Sequence, residues 1–368
     1  MTYIVAFSLA LLLCGLSLYD CKGRFWRNKP SLPLFCASAA VLVAVLGLRE
    51  GVGTDFYDVY VAGFNSIAAG ESSRFEIGFY FLNWVVAALG GGYQIMFFIA
   101  ALLTVSLVYV AIYRQSSKPL LSVLLFMIGG LFFFATNGIR QALAIAILLN
   151  AIAYIKAGKP IHYLAFALVA SSFHLSALIF LPLYLFGKWR PESTKTVVLF
   201  LLCTVLAGPI TWIALNGASL FSTQIATYMS VEHLSSQFLS SGNIDYSDLL
   251  LCMFPLAIYY IVRDKVEDTV AFQESGIYFF LLLLGVIVCV FSGQITIFSR
   301  VAAYFTPFCI LAIPQLFSAM DEARLRRAWI YKGVYLLFSV ASTTYLFGYL
   351  NFSHVLPYVS ILSSAVGF

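Results

Sequence analysis

The chain has 368 residues, 62% of them hydrophobic and only 10% charged, with a net charge of +5 and a mean hydropathy of +0.94. A soluble domain carries roughly a quarter of its residues as charges, so those proportions exclude one. The continuous rather than alternating apolarity excludes a β-barrel, which leaves an all-α, polytopic integral membrane protein of about 11–12 membrane helices or half-helices, each run near the roughly 17–25 residues of a bilayer crossing.

The first run, Tyr3 to Tyr19, has no basic residue before it and no small-residue cleavage signal after it, which predicts a retained helix rather than a signal peptide. Further spans are predicted over 32–48, 93–113, 119–135, 139–156, 161–173, 174–187, 196–214, 248–262, 276–292, 301–319 and 333–350. The pair 161–173 and 174–187 is interrupted at Ser171-Ser-Phe-His174 and reads either as a re-entrant hairpin or as two short tilted spans. Placing the basic loop Lys22–Lys29 in the cytoplasm puts 17 of the 21 lysines and arginines on that side and four, Arg49, Arg74, Arg140 and Arg300, outside. That split requires 49–92 to stay outside, with Asp55–Ala69 and Glu76–Gly90 as helices along the outer membrane surface, their aromatic residues suiting the interface. A second outer loop runs over about 217–247, and the whole of 1–368 reads as one transmembrane domain. The seven cysteines show no CxxC pair or metal spacing and read as packing residues. Neither a P-loop, GxGxxG, GxSxG or HExxH motif nor a nucleic-acid patch occurs, so no metal, cofactor or nucleic acid is expected.

The chemistry gathers on the outer side. Arg140 and Gln141 open the helix that comes after the Asn137-Gly138 corner, with Asn137 in the position of an N-cap. An arginine is disfavoured in a first helical turn by the helix dipole. It either snorkels to headgroups or, with free helix N–H groups, meets an anion such as a phosphate. Arg300 also opens a helix, in Phe298-Ser-Arg300-Val-Ala-Ala-Tyr304, and two such arginines can clamp a diphosphate, which guanidinium groups bind bidentately. Asp55 and Asp58 share a helix face; either can be a general base, or they can simply stabilise a helix N-terminus. Glu50 and Glu76 are alternative carboxylates, or partners of Arg49 and Arg74. His174, at the break between half-helices, is either a core hydrogen-bonding residue or a site residue, and His354 on the outer tail can approach the site. Asn150 reads as interhelical glue.

The pieces Gly53-Thr-Asp-Phe-Tyr-Asp-Val-Tyr60, Glu76-Ile-Gly-Phe79, Gly138-Ile-Arg-Gln-Ala-Leu-Ala144, Ser172-Phe-His-Leu-Ser-Ala177 and Ser299-Arg-Val-Ala-Ala-Tyr304 resemble, in order and spacing, the EpsG family of Wzy-like bacterial polysaccharide polymerases, with a tail match at Leu356-Pro-Tyr358. The resemblance implies a GT-C-like membrane glycosyltransferase of O-antigen or exopolysaccharide synthesis. It would sit in the inner membrane and join undecaprenyl-diphosphate-linked oligosaccharide units on the periplasmic face, alongside a flippase and a chain-length regulator. On that reading Asp55, Glu76 and His174 are the catalytic candidates, Arg140, Arg300 and Gln141 bind the diphosphate, and Asp58, Arg74, Arg49 and Tyr304 support them. The competing readings are a flippase or transporter of the same lipid-linked sugar, and a glycan ligase or acyltransferase.

Overall fold

A computed structural model describes residues 1–19, 29–187, 189–191, 196, 198, 202, 246–292 and 297–362. The described chain is helical, without a β-strand, and forms two compact units, Met1–Gly187 with Leu336–Phe368, and Lys188–Tyr335. Among the described residues four helices are long and apolar enough to cross a membrane: Tyr93–Gln115, Ile139–Lys156, Val270–Ser292 and Phe298–Glu322. A fifth crossing is made if the bent pair Pro119–Ile128 and Leu131–Asn137 counts as one. The chain is therefore a polytopic α-helical membrane protein, and five shorter apolar helices accompany these spans. The expected span 196–214 and outer loop 217–247 lie almost wholly outside the described residues.

In the first unit α1 (Thr2–Ser17) packs on α2 (Leu32–Gly47), and α2 packs in turn on the long helix Tyr93–Gln115, here α5. Ser38 joins all three: its hydroxyl lies 2.7 Å from the Ala10 carbonyl and 2.9 Å from the Tyr109 hydroxyl, which satisfies the polar groups that α2 buries. Between α2 and α5 the chain forms a π-helical turn, Phe56–Val61, that runs into α3 (Ala62–Ala68), and then α4 (Ile77–Ala88). These are the expected surface segments, but their aromatic residues divide. Phe56, Tyr60, Phe64 and Phe79 are buried in a cluster with Phe97 of α5, while Tyr57, Phe81 and Trp84 stay exposed. The first group is core rather than interfacial, packed into one cluster with Phe97, and the interfacial expectation is left to the exposed second group alone.

The expected single span 119–135 is broken into α6 (Pro119–Ile128) and α7 (Leu131–Asn137), bent by 43° at Gly129-Gly130. After the Gly138 corner, α8 (Ile139–Lys156) runs through the middle of the unit, with 78% of its apolar window buried. Asn150 of α8 donates to the carbonyls of Leu107 and Ala146, each at 2.9 Å, and so does act between helices. Next, α9 (Pro160–Phe173) and a 3₁₀ helix, Leu175–Phe186, fold back on one another. The Tyr163 hydroxyl donates to the Phe180 carbonyl and its ring packs on Tyr184, so the pair is a hairpin with His174 at its tip. The greater rise of the 3₁₀ helix, about 2.0 Å per residue against 1.5 Å, lets 12 residues match the 14 of α9.

The tail returns to the start of the first surface segment. Glu50 N–H donates to the Val359 carbonyl (3.0 Å), Ile361 N–H to Leu48 (3.0 Å) and Gly53 N–H to His354 (3.4 Å). The second unit holds α10 (Tyr246–Val266), α11 (Val270–Ser292), α12 (Ile297–Ala302) and α13 (Cys309–Glu322), and ends within α14 (Ala328–Thr343).

Candidate active site

Three chain segments meet at one corner of the first unit: the N-terminus of α4, the N-terminus of α8 and the tip of the α9 hairpin. Glu76 is the N-cap residue of α4, with extended backbone (φ −63°, ψ 155°), yet its carboxylate does not cap that helix. Its Oε2 accepts from Arg140 Nη1 at 2.5 Å, and its Oε1 accepts from His174 Nδ1 at 2.9 Å and from Leu175 N–H at 3.4 Å. Gly78 makes this reach possible. A Cβ there would stand 2.5 Å from Ser172 Oγ and 2.9 Å from the Ser172 carbonyl oxygen, so only glycine lets α4 close on the end of α9.

The Glu76, Arg140 and His174 side chains retain 19%, 22% and 21% of their exposure, enough to be reached from outside and little enough for charge to matter. Burial pushes the Glu76 carboxyl up, but the hydrogen bond from His174 and the Arg140 charge outweigh it and hold the group at about 2. Glu76 is thus ionised at neutral pH and can only accept, so Nδ1 of His174 is the donor, which, of the two neutral tautomers, selects the one with its lone pair on Nε2. This is the arrangement in which a carboxylate orients a histidine base. Held that low, the Glu76 carboxylate is too weak a base to take a proton itself, and its role is to orient the imidazole.

Arg140 also faces the Tyr60 hydroxyl and lies 5.2 Å over the Phe75 ring. Its Nε is buried and meets no acceptor, so the guanidinium keeps donor capacity beyond the ion pair. The Tyr60 hydroxyl accepts from Ile139 N–H at 3.0 Å, which takes up one of the N–H groups expected to be open at the start of α8. Asn137 is not the N-cap of α8: Gly138 holds that position, and Asn137 ends α7. The Asn137 Oδ1 instead accepts from Asp55 N–H and from the Thr54 hydroxyl, each at 2.8 Å, and pins the surface segment to the α7–α8 corner. Gly53 allows that approach, with φ +106° and only 2.7 Å between a Cβ built on it and the Thr136 carbonyl oxygen.

The other expected residues fall in different settings. Asp55 is half-buried beside this corner, Asp58 and Arg74 are exposed, and Gln141 is buried in the first turn of α8. Arg49 is 1% exposed. Its guanidinium donates to the carbonyls of Leu46, Val52 and Thr136 and lies 4.8 Å over the Phe97 ring, so it ties the ends of α2 and α7 together. Glu50, a candidate partner for Arg49, instead accepts from the hydroxyls of Tyr57 (2.9 Å) and Tyr93 (3.3 Å). Arg300, exposed at the start of the Phe298–Glu322 span, and the buried Tyr304 belong to the second unit. The His354 side chain is exposed; its backbone is what meets Gly53. Tyr60 and Phe75, which flank Arg140, are neighbours of this corner that sequence reasoning passes over, since an aromatic residue beside a surface helix has an ordinary local explanation; Asn137 is singled out there, but for a different role. Among the described residues no three His, Cys, Asp or Glu side chains converge as metal ligands would.

The fold is that of a polytopic helical membrane protein, and this corner brings a cation, a carboxylate and an imidazole together at helix ends. The comparison with known families is specific: residues 32–360 match the EpsG family, and the chain belongs to it. This is a family of Wzy-like polysaccharide polymerases, so the protein is a multi-pass membrane polymerase of polysaccharide biosynthesis, of glycosyltransferase type. Neither a curated protein nor a solved structure matches the chain.

Proposed function

We propose that the protein transfers oligosaccharide from undecaprenyl diphosphate to the hydroxyl of a second repeat unit, at the outer face of the bacterial inner membrane, with the Glu76–Arg140–His174 corner as its active site. The observation that carries this is one carboxylate holding a histidine by Nδ1 and an arginine by Nη1. The acceptor hydroxyl oxygen attacks the anomeric carbon while its proton passes to Nε2 of His174. The bond from that carbon to the diphosphate oxygen breaks, and the electron pair leaves on the diphosphate. Arg140 supplies positive charge where that negative charge grows. A single displacement of this kind inverts the anomeric centre. Glu76 is the positioning residue, and the exposed aromatic rings of Tyr57 and Trp84 are surfaces on which sugars can stack.

Asp55 is the rival base, and two variants separate the readings. With His174 as base, His174→Asn leaves single repeat units on the lipid at normal protein abundance, whereas Asp55→Asn still gives long chains. Long chains from His174→Asn and single units from Asp55→Asn would transfer the role to Asp55. Single units that also fail to reach the outer face in both variants would favour a flippase.

A further inference from the structure

Away from that corner, α2 and α5 part to leave a cavity of about 600 Å³, within the ~300–1,000 Å³ typical of ligand sites. Small side chains on α2, Ala39, Ala40 and Ala44 among them, open the space, and Phe98 and Tyr109 wall it from α5. Apart from Arg114, its lining carries only the Ser106, Tyr109 and Tyr113 hydroxyls and the Cys36 thiol as polar side-chain groups, and the Tyr109 hydroxyl is already bonded to Ser38. From Phe98 to Arg114 the lining runs along α5 for about 24 Å at the helical rise, most of the ~30 Å hydrocarbon thickness. Water has little to bind there and an extended hydrocarbon chain has much.

The two ends differ. The end at Ala44 and Phe98 has no charged lining residue, whereas the other holds Arg114 in the last turn of α5. Lys29 Nζ lies 5.4 Å over the ring of Tyr113, which also lines the cavity, and both cations are exposed. Among the described residues neither has a carboxylate within ion-pair distance. Arg140 stands at the N-terminus of α8, and α5 and α8 run alongside with the same sense, since Ile139 clusters with Phe97 and Leu149 accepts from Gln115 at 2.8 Å. The cationic end is therefore the end remote from the active-site corner.

The geometry points to a binding site for one anionic glycerophospholipid, with an acyl chain along the α2–α5 cavity and its phosphate between Arg114 and Lys29. Arginine and lysine are the ordinary phosphate partners, and each contributes attraction to an anionic headgroup. The site does not depend on the proposed transfer chemistry.

The test is native mass spectrometry of the purified full chain in detergent, titrated with phosphatidylglycerol and, separately, phosphatidylcholine. The wild type is expected to retain one phosphatidylglycerol in preference to phosphatidylcholine. Arg114→Gln should weaken phosphatidylglycerol roughly fivefold, the effect of one surface cation, and leave phosphatidylcholine unchanged. Ala40→Phe, at an exposed position on the cavity rim, should weaken both lipids. Equal retention of the two lipids by the wild type overturns the headgroup site, as does unchanged discrimination in Arg114→Gln. Full binding by Ala40→Phe would place the lipid outside the cavity and overturn the proposal, and a polyprenyl phosphate that displaces phosphatidylglycerol equally from wild type and Arg114→Gln, or a lipid-free dimer lost in Ala40→Phe, would show another occupant in it.

Discussion

Glu76→Gln changes one atom and the charge, and the geometry of the corner determines its effect. The carboxylate accepts on both oxygens, from Arg140 and from His174. A glutamine has one acceptor oxygen and one NH₂. If the NH₂ faces Arg140, two donors oppose each other beside a guanidinium that has lost its counter-charge. If it faces His174, Nδ1 must become the acceptor, the proton moves to Nε2, and the base is in the wrong tautomer. The fall of the Glu76 carboxyl from its ordinary 4.5 to about 2 corresponds to roughly 3 kcal/mol of preference for the charged form, or about 10² in rate if all of it is used in catalysis. Removing the carboxylate that orients a histidine base in a serine protease costs ~10⁴. Glu76→Gln should therefore lower transfer by ~10²–10⁴. The assay is glycan chain length on gels, read together with protein abundance in the membrane; lipid-linked single units should accumulate. Because the folded group lies below its unfolded value, its contribution to stability is complete above about pH 4.5 and lost as the pH falls toward 2, so acidification to pH 5 does not reproduce the variant. Wild-type chain length from a normally abundant Glu76→Gln protein would refute the reasoning.

Three further outcomes are expected. Arg140→Lys keeps the charge but loses the fork, and should cut polymerisation ~10²–10³-fold at near-normal abundance, whereas Arg49→Lys puts one nitrogen where Nε, Nη1 and Nη2 each reach a different carbonyl and should deplete the protein itself, each orphaned group costing ~1–3 kcal/mol; the two variants are told apart by immunoblot and chain length together. Gly78→Ala should push α4 off α9, destabilise the protein by about 1–3 kcal/mol and abolish long chains, and Ser172→Ala should relieve it only in part, since the Ser172 carbonyl stays in the way; thermal denaturation of the purified variants measures this. A cysteine at exposed Ser72, in a background without native cysteines, should react with an impermeant reagent in whole cells, and labelling only after permeabilisation would reverse the proposed orientation.

Much of the fold is legible because apolar run length is a local property. The starts of α1, α2, α5, α8 and α9 fall within a few residues of the predicted ones, and the interruption at Ser171–His174 does mark the hairpin tip. The 43° bend was not legible, since Gly129-Gly130 sits inside an unbroken apolar run whose hydropathy is the same bent or straight. For the site, the residue types were legible and the pairing was not. Arg140 stands out because it opposes its helix dipole, and His174 because it occupies a break. That Glu76 answers both is a contact across 64 residues to Arg140 and 98 to His174, and no periodicity reports contacts of that kind. Tyr60 was hidden for the opposite reason: its local pattern already has a sufficient explanation as an interfacial aromatic, though it is buried and caps α8.

The short, scattered motifs make sense once their contacts are compared. Gly53-Thr-Asp brings a loop against the α7–α8 corner through Asn137, Glu76-Ile-Gly supplies the carboxylate and the glycine that lets it approach, Gly138-Ile-Arg supplies the cation, and Ser172-Phe-His supplies both the imidazole and the backbone that Gly78 must clear. Each motif therefore pairs one functional group with one small or hydrogen-bonding residue that sets its position. Substitutions should accordingly divide into two kinds. Changes at the glycines and at Asn137 should act by displacing helices, so they should lower stability and transfer together. Changes at Glu76, Arg140 and His174, whose side chains are partly exposed and form no part of the buried aromatic cluster, should lower transfer at smaller cost to the fold. On the proposed mechanism, a site built this way is packed where helices touch and partly exposed where the groups point, so that each new repeat unit, long or short, would meet the same imidazole and the same guanidinium.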